Sequence, residues 1–155
     1  MEPKFVSLPA FDVVGTAYTG NNANQEIAQM WEHEFNPRWK EIKHAINTEV
    51  CYGVCLMPSD LPQGHFRYLA AVEVSKVEAV PQGMEVEHIP ACKYAVFEHR
   101  GALDKLGQTY QHIYEEWLPK SGLKRAPGPD LEYYNSDFKD FSPDSILYLY
   151  VPVEE

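Results

Sequence analysis

The sequence predicts an α+β fold. One strand–helix–strand–strand unit occurs twice, the halves related by a pseudo-twofold axis, with helices packed outside an antiparallel sheet and a central cleft. Three observations carry this. LPAFDVVGTAYTG (8–20) aligns with IPACKYAVFEHRG (89–101), matching Pro9 with Pro90, Ala10 with Ala91 and Gly20 with Gly101. Each Pro-Ala pair leads into a β-branched and aromatic run, then a helical apolar stripe, then two alternating runs. Finally, 155 residues, 45% hydrophobic and 13% aromatic, supply one core and leave little for two independent domains. The expected domain is the whole chain, 1–155, with repeats at about 4–76 and 84–153.

In order, the first strand is FDVVGTAY (11–18). A helix begins near Asn22, with Gln25 three residues on as a capping pair and Ala28, Trp31 and Phe35 as its stripe. Asn36-Pro37 interrupts it, and a second short helix places Trp39, Ile42 and Ile46 inward. VCYGVCL (50–56) and HFRYLAAVEV (65–74) close the first half as strands, joined by MPSDLPQG. SKVEAVPQGMEVEH (75–88) is the linker. The second half opens on CKYAVFEH (92–99). Leu103, Leu106, Tyr110, Ile113 and Trp117 then form one helical stripe, stopped by Pro119 and Gly122. DLEYYN (130–135) and SILYLYVPV (145–153), joined by SDFKDFSPD, are the last strands.

Charge narrows the function. A net charge of −10 and a pI near 5.0 repel phosphate backbones and anionic membranes, so neither DNA nor a membrane is an expected partner. A cationic small molecule is attracted instead. Three cysteines, Cys51, Cys55 and Cys92, make no disulfide framework and no zinc pair-of-pairs. They read as small buried thiols of a reducing compartment. No signal peptide precedes the first strand and no apolar run approaches the ~20 residues of a membrane helix, so a cytoplasmic protein is expected. Six histidines are scattered without HExxH spacing, so no metal or cofactor is expected, and His99 and His112 read as surface residues.

The candidate site is PDLEYYNSDF (129–138). Alternation puts Glu132 and Tyr134 on one face and Leu131 and Tyr133 on the other. The repeat matches Glu132 and Tyr134 with Gly53 and Cys55 at a spacing of 79, and Tyr148 and Tyr150 with Tyr68 and Ala70 at 80. If these faces line the groove between halves, large aromatics and a carboxylate stand opposite small residues, leaving room for something flat. A strand glutamate is more often exposed or ion-paired, and strand tyrosines more often packing. The coincidence of a carboxylate and several tyrosines favours a ligand site: Glu132, Tyr134, Tyr148, Tyr150, Tyr68 and Trp117, with Gly53 and Ala70 making space. Phe97 is expected in the core, and Tyr94 is left open.

IPACKYAVFEHRG, TYQHIYEEWLPKSG, DLEYYNSDF and the closing LYLYVPV, with YGVCL and FRYLAAVEV…VPQGM in the first half, resemble the GyrI-like effector-binding family. The resemblance runs from about Phe5 to Val153. It implies the duplicated fold, and a pocket for lipophilic, often cationic small molecules with Glu132 at the family's pocket glutamate. It also implies two other functions. One is hydrolysis of reactive cyclopropane-type genotoxins, with Glu132 as general base and Tyr134 donating to the developing oxyanion. The other is gyrase inhibition through protein contact. The family's regulators carry DNA-binding helices. Only a handful of residues precede the first strand here, so direct DNA binding is not expected and a separate regulator or gyrase is the conceivable protein partner. An exposed first strand leaves a homodimer open. A standalone drug-sensing or sequestering domain is the preferred expectation.

Overall fold

Period-two alternation becomes strand throughout. The computed structural model describes residues 2–56, 60–139 and 142–155. Parts of the two joining loops, MPSDLPQG and SDFKDFSPD, lie outside the described residues. The strands are β1 (Lys4–Leu8), β2 (Phe11–Gly20), β3 (Cys51–Leu56), β4 (Phe66–Val74), β5 (Glu85–Ile89), β6 (Cys92–Arg100), β7 (Lys124–Arg125), β8 (Asp130–Tyr134) and β9 (Ile146–Glu154). Their antiparallel path is β1-β6-β9-β8-β3-β4-β2-β5, with short β7 on β9. The path reads alike from either end, about a seam where β3 pairs with β8.

The edge strands are exchanged between halves. β1 pairs with β6, and β5 pairs with β2. The sequence expectation placed β5 in the linker. Its alternation is masked by Glu85, Glu87 and His88, and Arg67 on β4 pairs with both glutamates.

Parity assigns the faces, because residues directly opposite across a ladder point the same way. Thr16, Ala70, Gly53, Glu132, Leu149 and Phe97 form one row across β2, β4, β3, β8, β9 and β6. Both helical segments pack on this face. Met30, Phe35 and Ile42 join Val14, Tyr68, Ala70 and Val72 in the first half. Ile113 joins Phe97, Leu147, Leu149 and Val151 in the second. The opposite face buries Val13, Tyr52, Val54, Leu69, Ala71, Ile89, Tyr94 and Leu131 in one cluster drawn from both halves. Each fully buried Leu or Val there contributes roughly 1.5–3 kcal/mol. The three clusters hold a curled sheet with its helices outside.

The first helix is shorter than expected. α1 (Glu26–Met30) passes directly into a wider π turn, Trp31–Phe35. Gln25 provides no cap, being left-handed at φ 59. Asn22 Oδ1 instead accepts from the Ile27 amide at 3.0 Å. With the start at Glu26, Ile27, Met30, Trp31 and Phe35 turn inward and Ala28 is exposed. The expected second helix is a single 3₁₀ turn, Trp39–Glu41; the chain extends at Ile42, and Ile46 is left 55% exposed.

The second helical segment comprises a 3₁₀ turn (Leu103–Lys105), α2 (Leu106–His112), a π turn (Ile113–Trp117) and α3 (Leu118–Ser121). Pro119 does not stop it. It is the second residue of α3, directly after the π turn, and Gly122 ends the helix in the left-handed region at φ 78. Leu103 is largely exposed, so the stripe begins in effect at Leu106.

His99, expected at the surface, is buried. Its Nδ1 lies 2.7 Å from Thr109 Oγ1 and its Nε2 2.8 Å from the Ala102 carbonyl. With both nitrogens partnered, the imidazole is buried without an unsatisfied group, and it ties β6 to the start of α2. Gly107, in α2, has open space where a Cβ would stand. Gly107→Ala is therefore expected to stabilise the fold by about 0.5–1 kcal/mol, read as a small rise in melting temperature. A fall would mean that α2 needs a flexible backbone at that turn.

Candidate functional site

At the seam, β3 presents Cys51, Gly53 and Cys55, and β8 sets Tyr134, Glu132 and Asp130 opposite them. Glu132 is 7% exposed. Three phenols donate to its carboxylate: Tyr68 to Oε1 at 2.7 Å, Tyr134 to the same oxygen at 2.9 Å, and Tyr110 to Oε2 at 3.4 Å. Tyr68 comes from β4, Tyr134 from β8 itself and Tyr110 from α2. The first helical segment closes the site. Trp31 Nε1–H donates to the Tyr68 hydroxyl at 3.1 Å, and its ring lies 5.2 Å from that of Tyr134. Trp31 opens one of the two π turns, a local widening that recurs at functional sites.

Gly53 makes this possible. A Cβ there would stand 2.1 Å from the Tyr68 hydroxyl and 2.5 Å from Glu132 Oε1. Tyr68 thus reaches over β3, through the space a side chain would fill, to its carboxylate partner.

Burial raises the Glu132 carboxyl above its ordinary value, opposed by the Tyr68, Tyr134 and Tyr110 bonds, with nearby Asp130 adding to the rise. The Tyr68 and Tyr110 hydroxyls are pushed up by burial and then by the Glu132 charge, so both remain donors. Burial, reinforced by Glu132, pushes the Cys55 thiol up to about 12. It stays protonated and is no nucleophile.

Beside Glu132 lies a second acid. Asp130 accepts from the Tyr114 hydroxyl at 2.6 Å and from Arg125 at 3.0 Å. Tyr110 and Tyr114 stack, their ring centroids 6.5 Å apart and planes at 15°. Arg125 also donates to the carbonyls of Ala126 and Gly128.

The structure brings Glu132, Tyr134, Tyr68, Gly53 and Ala70 together on one face. It does not bring Tyr148 and Tyr150 there. Leu149 stands opposite Glu132, so both tyrosines point the other way, with Tyr133. The correct partner of Ala70 is Leu149, at 149 − 70 = 79, the spacing that also relates Gly53 and Glu132. The expected spacing of 80 was one residue out, and a one-residue slip inverts every side chain of a strand. Tyr150 packs at 5.8 Å from Tyr133 and 5.7 Å from Tyr94, and Tyr148 donates to Asp137. Tyr94 shares their face, while Phe97 lies buried in the helix-side row.

Trp117 also departs from expectation. Its ring packs between Phe97 at 5.0 Å and Phe5 at 6.3 Å. It borders a separate 320 Å3 cleft together with Glu2, His112, Glu116, Lys120 and Ser121. Trp31 and Tyr110 were missed as site residues because each lies on a helical apolar stripe. Nothing in that pattern separates a ring that packs from one whose polar atom reaches the carboxylate.

A family model described as "GyrI-like small molecule binding domain" matches residues 1–154. The transcriptional regulator BrlR of Pseudomonas aeruginosa is 40% identical over 154 residues. The chain belongs to the GyrI-like family. The matched region covers 99% of this chain and 56% of BrlR, so the chain spans about half of that regulator. Among solved structures, SAV2435 bound to tetraphenylphosphonium superposes with a TM-score of 0.77 at 23% identity, over 99% of this chain and 94% of that one. The EcmrR C-terminal domain gives 0.73 at 15%, over 99% and 98%. These likenesses show that the GyrI-like α+β fold spans the chain and includes the β3–β8 seam. No helix among the described residues is long and apolar enough to cross a membrane.

Proposed function

We propose that this GyrI-like domain binds a flat, lipophilic cation over Glu132, as a drug-sensing or sequestering protein. The observation that carries the reading is a carboxylate 7% exposed which, among the described residues, has phenol donors and no ion pair with Lys, Arg or His. A buried carboxylate without a counterion is costly, and a cation in contact with it removes that cost. The faces of Trp31, Tyr110 and Tyr134 add about 0.5–2 kcal/mol for each good cation–π contact. The chain's charge of −10 draws cations towards the site. SAV2435, which shares the fold, was solved with a lipophilic cation. Entry requires Trp31 to leave the Tyr68 hydroxyl and swing from Tyr134, exposing the carboxylate.

Hydrolysis is less well supported. Oε1 already accepts from two phenols and Oε2 from one at 3.4 Å, and Tyr134, the expected oxyanion donor, donates to Glu132 itself.

Ethidium, a flat aromatic cation, titrated by calorimetry tests the proposal. Binding requires the ionised carboxylate, so affinity is expected to rise with pH through the raised Glu132 value and level off above it. Absence of saturable binding, or an affinity flat from pH 4 to 8, would defeat the reading.

A further inference from the structure

Resting on the cation reading of the site, we infer that Arg125 sets the charge the site accepts: by cancelling Asp130 it leaves Glu132 as the single uncompensated negative charge, so the site takes singly charged cations and discriminates against doubly charged ones.

Asp130 and Glu132 point the same way from β8, two residues apart, facing Cys55 and Gly53. Both are largely buried; the Asp130 side chain is 14% exposed. Their partners differ. Glu132 has neutral phenols, whereas Asp130 has the Tyr114 phenol and the Arg125 guanidinium. The groups facing Asp130 are Arg125, Tyr114, Cys55 and Glu132, with Tyr110 stacked beside Tyr114. Arg125 is held independently of Asp130, by the Ala126 and Gly128 carbonyls and by the pairing of its strand with β9. The guanidinium is therefore fixed in place before any ligand arrives. One positive charge neutralises Glu132. A second, entering the same low-dielectric space, would meet a carboxylate already paired, and its desolvation would go uncompensated.

The test uses ethidium and propidium, which share one aromatic cation while propidium carries a second quaternary ammonium on a short arm. In the unaltered protein ethidium is expected to bind more tightly. Arg125→Gln frees Asp130 and should move the propidium-to-ethidium affinity ratio at pH 8 up by roughly tenfold or more. Arg125→Gln combined with Asp130→Asn returns the charge count to one and should restore the original ratio. This second variant also separates charge from any loosening of the 126–129 loop, which both variants share. A ratio unmoved by Arg125→Gln, or not restored by the double substitution, overturns the inference. A ligand-free readout decides independently. Carboxyl NMR should show Glu132 titrating higher in Arg125→Gln than in the unaltered protein, and returning in the double variant; an unchanged titration overturns the inference. If ethidium does not bind the unaltered protein, the cation reading falls, and the carboxyl titration still decides whether Arg125 sets the charge of the site.

Discussion

Glu132→Gln is expected to lower affinity for ethidium by about two orders of magnitude, leave a neutral flat aromatic of similar size unaffected, and raise stability at neutral pH. The binding estimate follows from one ion pair. At about 5 Å and an effective dielectric near 20, unit charges attract by about 3 kcal/mol. The shape of the site is kept. A glutamine Oε1 still accepts from Tyr68 and Tyr134, and its amide points at the Tyr110 hydroxyl. Stability moves the other way because the folded state holds an ionised group that burial disfavours. The folded carboxyl titrates above its ordinary 4.5, so the native state binds its proton more tightly than the unfolded chain. Its contribution is fully present below about 4.5 and is lost as pH rises through the raised value. The difference in melting temperature between variant and unaltered protein should therefore grow across that window and then stay constant. Equal weakening for the cation and the neutral aromatic would mean that shape, not charge, governs binding. Unchanged affinity for both would remove Glu132 from the site. A hydrolase using Glu132 as its base would instead keep substrate binding and lose turnover.

Gly53→Ala should damage fold and site together. The added methyl would stand 2.1 Å from the Tyr68 hydroxyl and 2.5 Å from Glu132 Oε1, so the 2.7 Å bond between them cannot survive. Tyr68 is 3% exposed and bonded to Trp31, which leaves its ring little room to retreat. Overpacking costs about 1–3 kcal/mol, and a phenol left without its partner adds about 1–3 kcal/mol. At roughly 2–4 °C per kcal/mol for a chain of this size, the melting temperature should drop by at least several degrees. Cation affinity should fall as well, because the added methyl forces Glu132 Oε1 out of the position the site gives it. A variant that melts normally and binds normally would show that Tyr68 has another resting place, and that the Tyr68–Glu132 contact is not required.

Much of the fold was legible. Composition, the Pro-Ala repeat and alternating runs such as LEYY and ILYLYV indicate two strand-rich halves, and the alternation of LEYY puts Glu132 on one face with Tyr134. The errors have physical causes. β5 went unseen because its alternation is written in charges satisfied by Arg67, two strands away. His99 looked like surface because a histidine's burial depends on partners, here Thr109 and Ala102, that only packing supplies.

The sequence by itself determined that an acidic, twice-repeated α+β chain carries a carboxylate beside tyrosines on a strand. Periodicity encodes which residues share a face of their own element, and that is a local property. Tertiary structure alone decided which tyrosines reach Glu132. Tyr68 and Tyr110 arrive from β4 and α2, while Tyr148 and Tyr150 turn away through a single residue of register. Register between strands and the docking of a helix on a sheet are set by how whole faces pack, and no one segment contains that information.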